Sequence, residues 1–264
     1  MFGITMAESD EFVAPGPNSF DFSDVALFHI GGLAVTKPMI QLLFGALVVF
    51  VFFYAAARRA SLVPDRLQYA GESAYGMVRN SVGRDIIGSR DFLKFVPYLV
   101  TLFFFILVNN AFASLPGIQF PTFSRASMAY ALAALSWVVY NAVGIRKHGL
   151  LGYLKLQSVP SGVSPVMYPL LIPLEFFSNI LVRPVTLALR LFANMFAGHL
   201  LLILFSTGGL FLLEYGGIGY VAGPLAWVLA IAISFLELLV QFLQAYVFTL
   251  LNAMYISGAL ADEH

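Results

Sequence analysis

The residues of this chain that could do chemistry in an apolar setting are concentrated in its last hundred positions. An apolar stretch over 168–206 carries Glu175, Arg183, Arg190 and His199, with Ser178, Asn179, Thr186 and Asn194 as uncharged company. A second, over 221–258, carries Glu237 with Ser234, Gln241, Gln244, Asn252 and Tyr255. Placing a charge at the centre of a bilayer costs about 2.5 to 3.5 kcal/mol on insertion scales, so such residues are functional candidates by default. At about 100° per residue, Glu175, Asn179, Arg183, Thr186, Arg190, Asn194 and Ala197 fall within about 100° of arc and form one polar stripe. His199 falls about 180° from Arg190, so a site around one is distinct from a site around the other. In the second stretch, spacings of 3, 4, 3, 8 and 3 put Ser234, Glu237, Gln241, Gln244, Asn252 and Tyr255 on one face. A proton relay of His199, Glu237 and solvated amides can be drawn from these groups.

Each residue also has a plainer reading. Arg190, permanently charged, could pair with a buried carboxylate for structure alone. Glu175 and Arg183, nearer the start of their stretch, could be interfacial anchors whose heads snorkel to water. His199 could be a satisfied core histidine, and Glu237 at that depth would need a proton or water. Asn109, Asn110 and the glutamines could be packing glue between helices.

The elements that hold these residues must live in a membrane. Of 264 residues, 60% are hydrophobic and 11% charged, with mean hydropathy +0.87, where a soluble domain carries about 25% charged residues. That composition excludes a soluble globular enzyme. Fourteen Lys and Arg cancel fourteen Asp and Glu, so no net basic charge is available for a nucleic-acid partner. With no cysteine, thiolate metal sites, iron–sulfur clusters and cysteine nucleophiles are impossible, and no metal or other cofactor is expected. G-x-x-x-x-G-K-[ST], H-E-x-x-H and G-x-S-x-G are all absent, so the chain carries no ATP chemistry of its own.

Apolar runs of about 20 residues cross a bilayer as helices, because a helix satisfies its own backbone. Three such spans are expected at 38–57, 95–115 and 126–145, closed by Arg58-Arg59, Pro116-Gly117 and Arg146-Lys147-His148. Residues 65–94 mix Asp65, Arg66, Glu72, Arg79, Arg84 and Asp85 with Leu67, Tyr69, Tyr75, Met77 and Val78, and read as an amphipathic interfacial segment. Seven Lys and Arg follow the first span and three follow the third, against Lys37 and Arg125 on the other side. The positive-inside rule then puts the N-terminus outside and, after two more crossings, the C-terminus in the cytoplasm. The acidic first 36 residues lack a signal-peptide pattern and read as a retained external tail, in keeping with a bacterial plasma membrane. The expected architecture is an all-α integral membrane protein of five spans in three parts: tail 1–36, spans and amphipathic segment 37–165, and helix pair 166–264. As a helix, 168–206 would be roughly 58 Å long, nearly twice the hydrocarbon core, so the last two helices are expected to tilt steeply as a pair against a curved neighbour.

The string Arg190-Leu-Phe-Ala-Asn194-Met-Phe-Ala-Gly-His199-Leu-Leu, after Arg183-Pro184 and before Glu237-Leu-Leu-Val-Gln-Phe-Leu-Gln244, closely resembles subunit a of F-type ATP synthases. The resemblance covers about 165–264, with Asn110 and Leu115-Pro116-Gly117 fitting an earlier helix end and 1–90 matching only in general plan. It implies a stator subunit whose tilted helices hug a rotating ring of c-subunits, with b-type stator subunits, the remaining synthase subunits and membrane lipids as partners. Arg190 would face the ring carboxylate and separate two offset half-channels. Asn194 and Gln244 match positions near that arginine, and His199 and Glu237 match a pair lining the outer half-channel; Gln241 and Glu175 extend the polar path. The chain departs from many members in having Ala113 where they carry an aspartate, and in a Gly-rich connection at 208–220 that looks longer.

Two other classes compete with a proton-translocating stator. A self-contained secondary ion transporter would favour matching halves, but both charged helices are C-terminal and have no N-terminal counterparts. A structural membrane protein without transport would leave Arg190 dispensable for ion coupling.

Overall fold

A computed structural model describes residue 16 and residues 26–30, 33–58, 61–115, 121–159 and 167–261. Most of the acidic tail, Arg59, the Pro116-Gly117 pair and the terminal 262–264 lie outside the described residues. The chain is an all-α integral membrane protein with five helices long and apolar enough to cross a membrane. One addition to the expected helices is a short antiparallel hairpin, β1 (Ala26–Ile30) with β2 (Leu33–Thr36). Its Ala, Leu, Phe, Ile and Val content, too short for a span, suits paired strands.

The first span is α1 (Lys37–Arg58), whose buried Pro38, Gln41, Gly45 and Val49 lie three or four apart. Asp65 then caps α2 (Arg66–Val78), its carboxylate accepting from Arg66 N at 2.7 Å. Gln68 ties the preceding loop down, donating to Ser61 O at 3.0 Å and accepting from Ser61 N at 3.1 Å. A π-helical turn, Arg79–Ile87, continues α2 and packs on the next span, α3 (Phe92–Ala111), and on the last helix. At the exposed foot of α3, Lys94 holds the Asp91 carboxyl below the usual carboxylate range through a 2.7 Å bond.

The third span runs on past the expected stop at Arg146-Lys147-His148. Helix α4 covers Ala126–Ser158, but Gly149 breaks it at φ 73°, a left-handed conformation that glycine adopts without steric cost. The chain folds back there, and the Tyr153 ring packs against the backbone at Gly144, where a side chain would collide.

The long C-terminal elements are longer than expected. Helix α5 (Tyr168–Phe177), a π turn (Ser178–Val182) and α6 (Arg183–Tyr215) form one rod of 48 residues, about 72 Å at 1.5 Å each. After Gly216–Ile218 comes α7 (Gly219–Leu260), 42 residues and about 63 Å. The Gly-rich connection expected over 208–220 is mostly helix. Its glycines serve close packing instead: a Cβ on Gly223 would lie 2.8 Å from Gly209 O, so two backbones meet where side chains cannot fit. Gly216 and Gly217 take positive φ, and they make the turn.

Pro184 explains the π turn. A proline inside a helix has no N–H and its ring crowds the carbonyl four residues back, here Ile180. The π turn lies across that position, and Trp137 Nε1 on α4 donates to Ile180 O at 2.8 Å, replacing the lost partner. The rod therefore stays continuous through the proline. Beyond it, Leu187, Leu191 and Met195 of α6, Leu99, Phe103 and Ile106 of α3, and Ala245, Phe248 and Ala253 of α7 close a common core.

Trp137→Phe is expected to destabilise the chain by about 0.5 to 1.5 kcal/mol, the net worth of a hydrogen bond to a half-buried carbonyl. Trp227→Phe, whose indole bonds Ser206 O from an exposed position, should cost less. Thermal unfolding of the detergent-solubilised variants by circular dichroism checks the order, and equal losses contradict this account of the kink.

Candidate functional site

The inward stripe of α7 is the scaffold of the site. Glu237, Gln241, Gln244 and Asn252 are all buried, on the face that spacing assigns them, while Ser234 and Tyr255 are half-buried. Apolar neighbours between them, such as Leu236, Leu239 and Leu243, point outward and are exposed. The alternation follows from the helical period: the residues three and four apart meet α3 and α6, and the rest meet the surroundings.

Each inward polar side chain meets a named group. Gln241 Nε2 donates to Ser114 Oγ at 2.8 Å, just past the end of α3, and Asn110 Nδ2 donates to Gln241 O at 3.3 Å. Asn194 Nδ2 on α6 donates to Gln244 Oε1 at 2.8 Å. The Tyr98 hydroxyl lies 3.3 Å from both Asn252 Oδ1 and Ser136 Oγ, joining α3, α7 and α4. His199 and Glu237, drawn together from sequence alone, stand with Nδ1 and Oε1 3.7 Å apart, both at most 5% exposed. The Glu237 side chain lies over Gly198, at 3.6 Å from where a Cβ would be, an ordinary contact distance.

The stripe on the α5–α6 rod is divided. Thr186, Arg190 and Ala197 are exposed, and no other described residue forms a hydrogen bond or ion pair with the Arg190 guanidinium. The opposite face of α6, with Leu187, Leu191, Met195 and His199, is buried. Arg190 and His199 therefore lie on opposite faces, as their spacing requires. Glu175 is half-buried and accepts from Asn179 Nδ2 at 3.0 Å; the same amide donates to Gln157 O at 2.7 Å. The π turn wraps an extra residue between Asn179 and Arg183, which rotates Glu175 out of line with Arg190. A single stripe drawn at constant pitch through 175–197 is corrected by that turn.

Some site neighbours had no distinguishing pattern in the sequence. Ser114 lies beyond a helix end where no period applies, and Tyr98 reads as one more aromatic in an apolar span. Gln41 did offer a signal, as a lone amide in the first span, and it is buried. Several buried polar atoms here have no hydrogen-bond partner among the described residues: Glu237 Oε1, Gln244 Nε2 and Asn110 Oδ1. Among the described residues, no group of three His, Asp or Glu is placed to hold a metal ion.

Comparison with known proteins gives these residues a context. Residues 39–257 match the family described as ATP synthase A chain. The chain is 63% identical over 270 residues to ATP synthase subunit a of a Nocardioides species, covering 99% of this chain and 98% of that one. It is 48% identical to the subunit a of Pseudarthrobacter chlorophenolicus over 97% of each chain, and 41% identical to that of Streptomyces lividans over 96% of this chain and 89% of the relative. The likeness thus extends well beyond the C-terminal hundred residues that suggested it.

If the Asn194–Gln244 bond couples α6 to α7, then Asn194→Leu and Gln244→Leu should be non-additive. A double-mutant cycle on thermal stability in detergent is expected to give a coupling of about 0.5 to 3 kcal/mol, and strict additivity would show that the contact carries no stability.

Proposed function

The chain belongs to the ATP synthase A chain family, in the proton-translocating sector of that enzyme, and from this premise we propose that it forms the fixed wall of the proton path. Arg190 faces a ring of c-subunits, each bringing one carboxylate past it, and stands between two offset half-channels. The observation that carries this reading is the division of α6: an exposed arginine without an ion partner among the described residues on one face, and the buried His199–Glu237 pair on the other.

The physics follows from that division. A guanidinium on the outward face of a membrane helix is costly unless an anion meets it, and a carboxylate carried by a neighbouring chain supplies one. Arginine keeps its charge throughout the working pH range, so it favours the ionised carboxylate and repels any proton attempting to pass directly. Protons reach the ring instead by way of His199 and Glu237. A proton held at His199 Nδ1 passes to the Glu237 carboxylate, or back, by exchange with water, and Glu237 Oε1, 3.7 Å away, supplies the accepting lone pair. Asn110, Ser114, Gln241, Gln244 and Asn194 line the approach. On the other side of Arg190, Glu175 and Asn179 mark the exit. Each charge that traverses 100 mV contributes about 2.3 kcal/mol, which is wasted if the path leaks.

The long helices fit a partner of this kind. Lengths of about 72 and 63 Å exceed a hydrocarbon core of about 30 Å, so the pair lies steeply tilted along its neighbour. Exposed Ala193 and Ala197 beside Arg190 allow helices to approach closely. Lys147 on α4 donates to Leu260 O, which brings the end of α7 to the cation-rich end of the molecule. By the positive-inside rule that end is cytoplasmic, in a bacterial plasma membrane, with the N-terminus outside. The b-type stator subunits and the remaining synthase subunits are the other partners. A self-contained transporter has no comparable observation in its favour.

Arg190→Ala is expected to leave the complex assembled and to abolish ATP synthesis driven by an imposed proton gradient. Arg190→Lys should also impair it, because the planar fork is lost. Synthesis assays in inverted membrane vesicles decide the matter: a normal rate in Arg190→Ala would overturn the reading.

A further inference from the structure

Arg183, the other cation of α6, takes no part in the path described above, and its surroundings are unlike those of an interfacial anchor. Its guanidinium carbon lies 5.2 Å from the centroid of the Tyr255 ring on α7. Behind that ring stands Tyr140 of α4, 5.3 Å away and tilted 56°. Arg183 also acts electrostatically on Tyr140 and on Tyr153, which returns to α4's own flank after the Gly149 bend. Both of these tyrosines are only 2% exposed. Tyr153 is fixed twice, by its ring against Gly144 and by a 2.9 Å bond from Gln157 Nε2 to its hydroxyl. Gln157 O in turn accepts from Asn179, just before Arg183 on the same rod. The cage is thus assembled from both halves of α4, from α7 and from the π turn.

Such a cage holds a cation without neutralising it. A carboxylate partner would cancel the field of the guanidinium, whereas an aromatic ring attracts it through a quadrupole and leaves its unit charge in place. No described carboxylate forms an ion pair with Arg183. Arg183 and Arg190 are seven residues apart, close to two turns and about 10 Å along the axis, and both act electrostatically on Tyr255. The titratable groups that face Arg183 are Tyr140 and Tyr153 from α4, Tyr255 from α7, and Glu175 and Arg190 along its own rod.

We propose that Arg183, held in the Tyr255–Tyr140 cage, is a second fixed positive charge that keeps the passing ring carboxylate ionised on the side of Arg190 where α6 begins. This rests on the stator reading above and assigns the release side its own electrostatic element. Arg183 is a positioning residue of the field, not a donor or acceptor of the proton. A positive charge favours the ionised carboxylate, so removing it raises the pH needed for release on that side. At about 10 Å and an effective dielectric of about 20, the expected displacement is on the order of one pH unit.

The test uses the whole complex in inverted vesicles, with synthesis rate measured against external pH under a potassium diffusion potential. In the proposed orientation the outer medium of these vesicles contacts the side where α6 begins. Arg183→Gln is expected to shift the external-pH profile towards alkaline by about one unit and to leave the internal-pH profile in place. Arg183→Lys, which keeps the charge, should restore the wild-type profile. An unshifted external profile in Arg183→Gln overturns the proposal. If Arg183→Gln fails to assemble, Tyr255→Leu decides: an alkaline shift supports the cage and an unshifted profile overturns it. Arg190→Ala run alongside separates the two ideas, since retained synthesis there sinks the stator reading, whereas its loss together with an unshifted Arg183→Gln sinks only this one.

Discussion

Hydrocarbon offers no hydrogen-bond partner, and the arrangement of this chain follows from how polar groups in its spans find partners on neighbouring helices. Pro184 deprives the Ile180 carbonyl of its helical donor, and the Trp137 indole takes the place. That one bond keeps the α5–α6 rod unbroken over 48 residues. Within its α6 part, the helical period alone puts Arg190 and His199 on opposed faces. The same constraint accounts for the side-chain amides of α7, which reach across to Ser114 and Asn194 rather than towards lipid, and for Asn110, which donates to the Gln241 backbone carbonyl.

The helix pair is held close by an absence of side chains at one end and by polar contacts at the other. Gly209, Gly219 and Gly223 let the backbones of α6 and α7 meet near their shared turn. Towards the other end, Asn194 with Gln244 and Arg183 with Tyr255 set the register between them. His199 and Glu237 lie between these two zones, buried and with the helices close enough for a 3.7 Å approach.

Charge is handled in three different ways within about one helix length. His199 and Glu237 face each other in the interior, where their charges depend on protons. Arg183 keeps its charge against aromatic rings. Arg190 is turned outward, away from the core of the chain. One helix can hold all three because its period separates faces by fixed angles, so groups only a few residues apart see unrelated environments.

That period is also why so much could be read in advance. Five apolar runs, the cation count between them, and the placement of Glu237, Gln241 and Gln244 on one face of α7 are properties of composition and spacing, and a membrane helix leaves little freedom to alter them. The opposition of Arg190 and His199 is of the same kind. Spacing could not reveal the π turn at 178–182, because it arises where Pro184 meets a tryptophan 47 positions earlier, and it rotates Glu175 away from the line its number implies. Nor could spacing reveal the fold-back at Gly149, the Ser114 contact or the tyrosines around Arg183. Those depend on which helices are neighbours and at what depth they meet, a matter of packing between segments far apart in the chain. Local sequence determined which face each group occupies; tertiary structure decided what waits opposite.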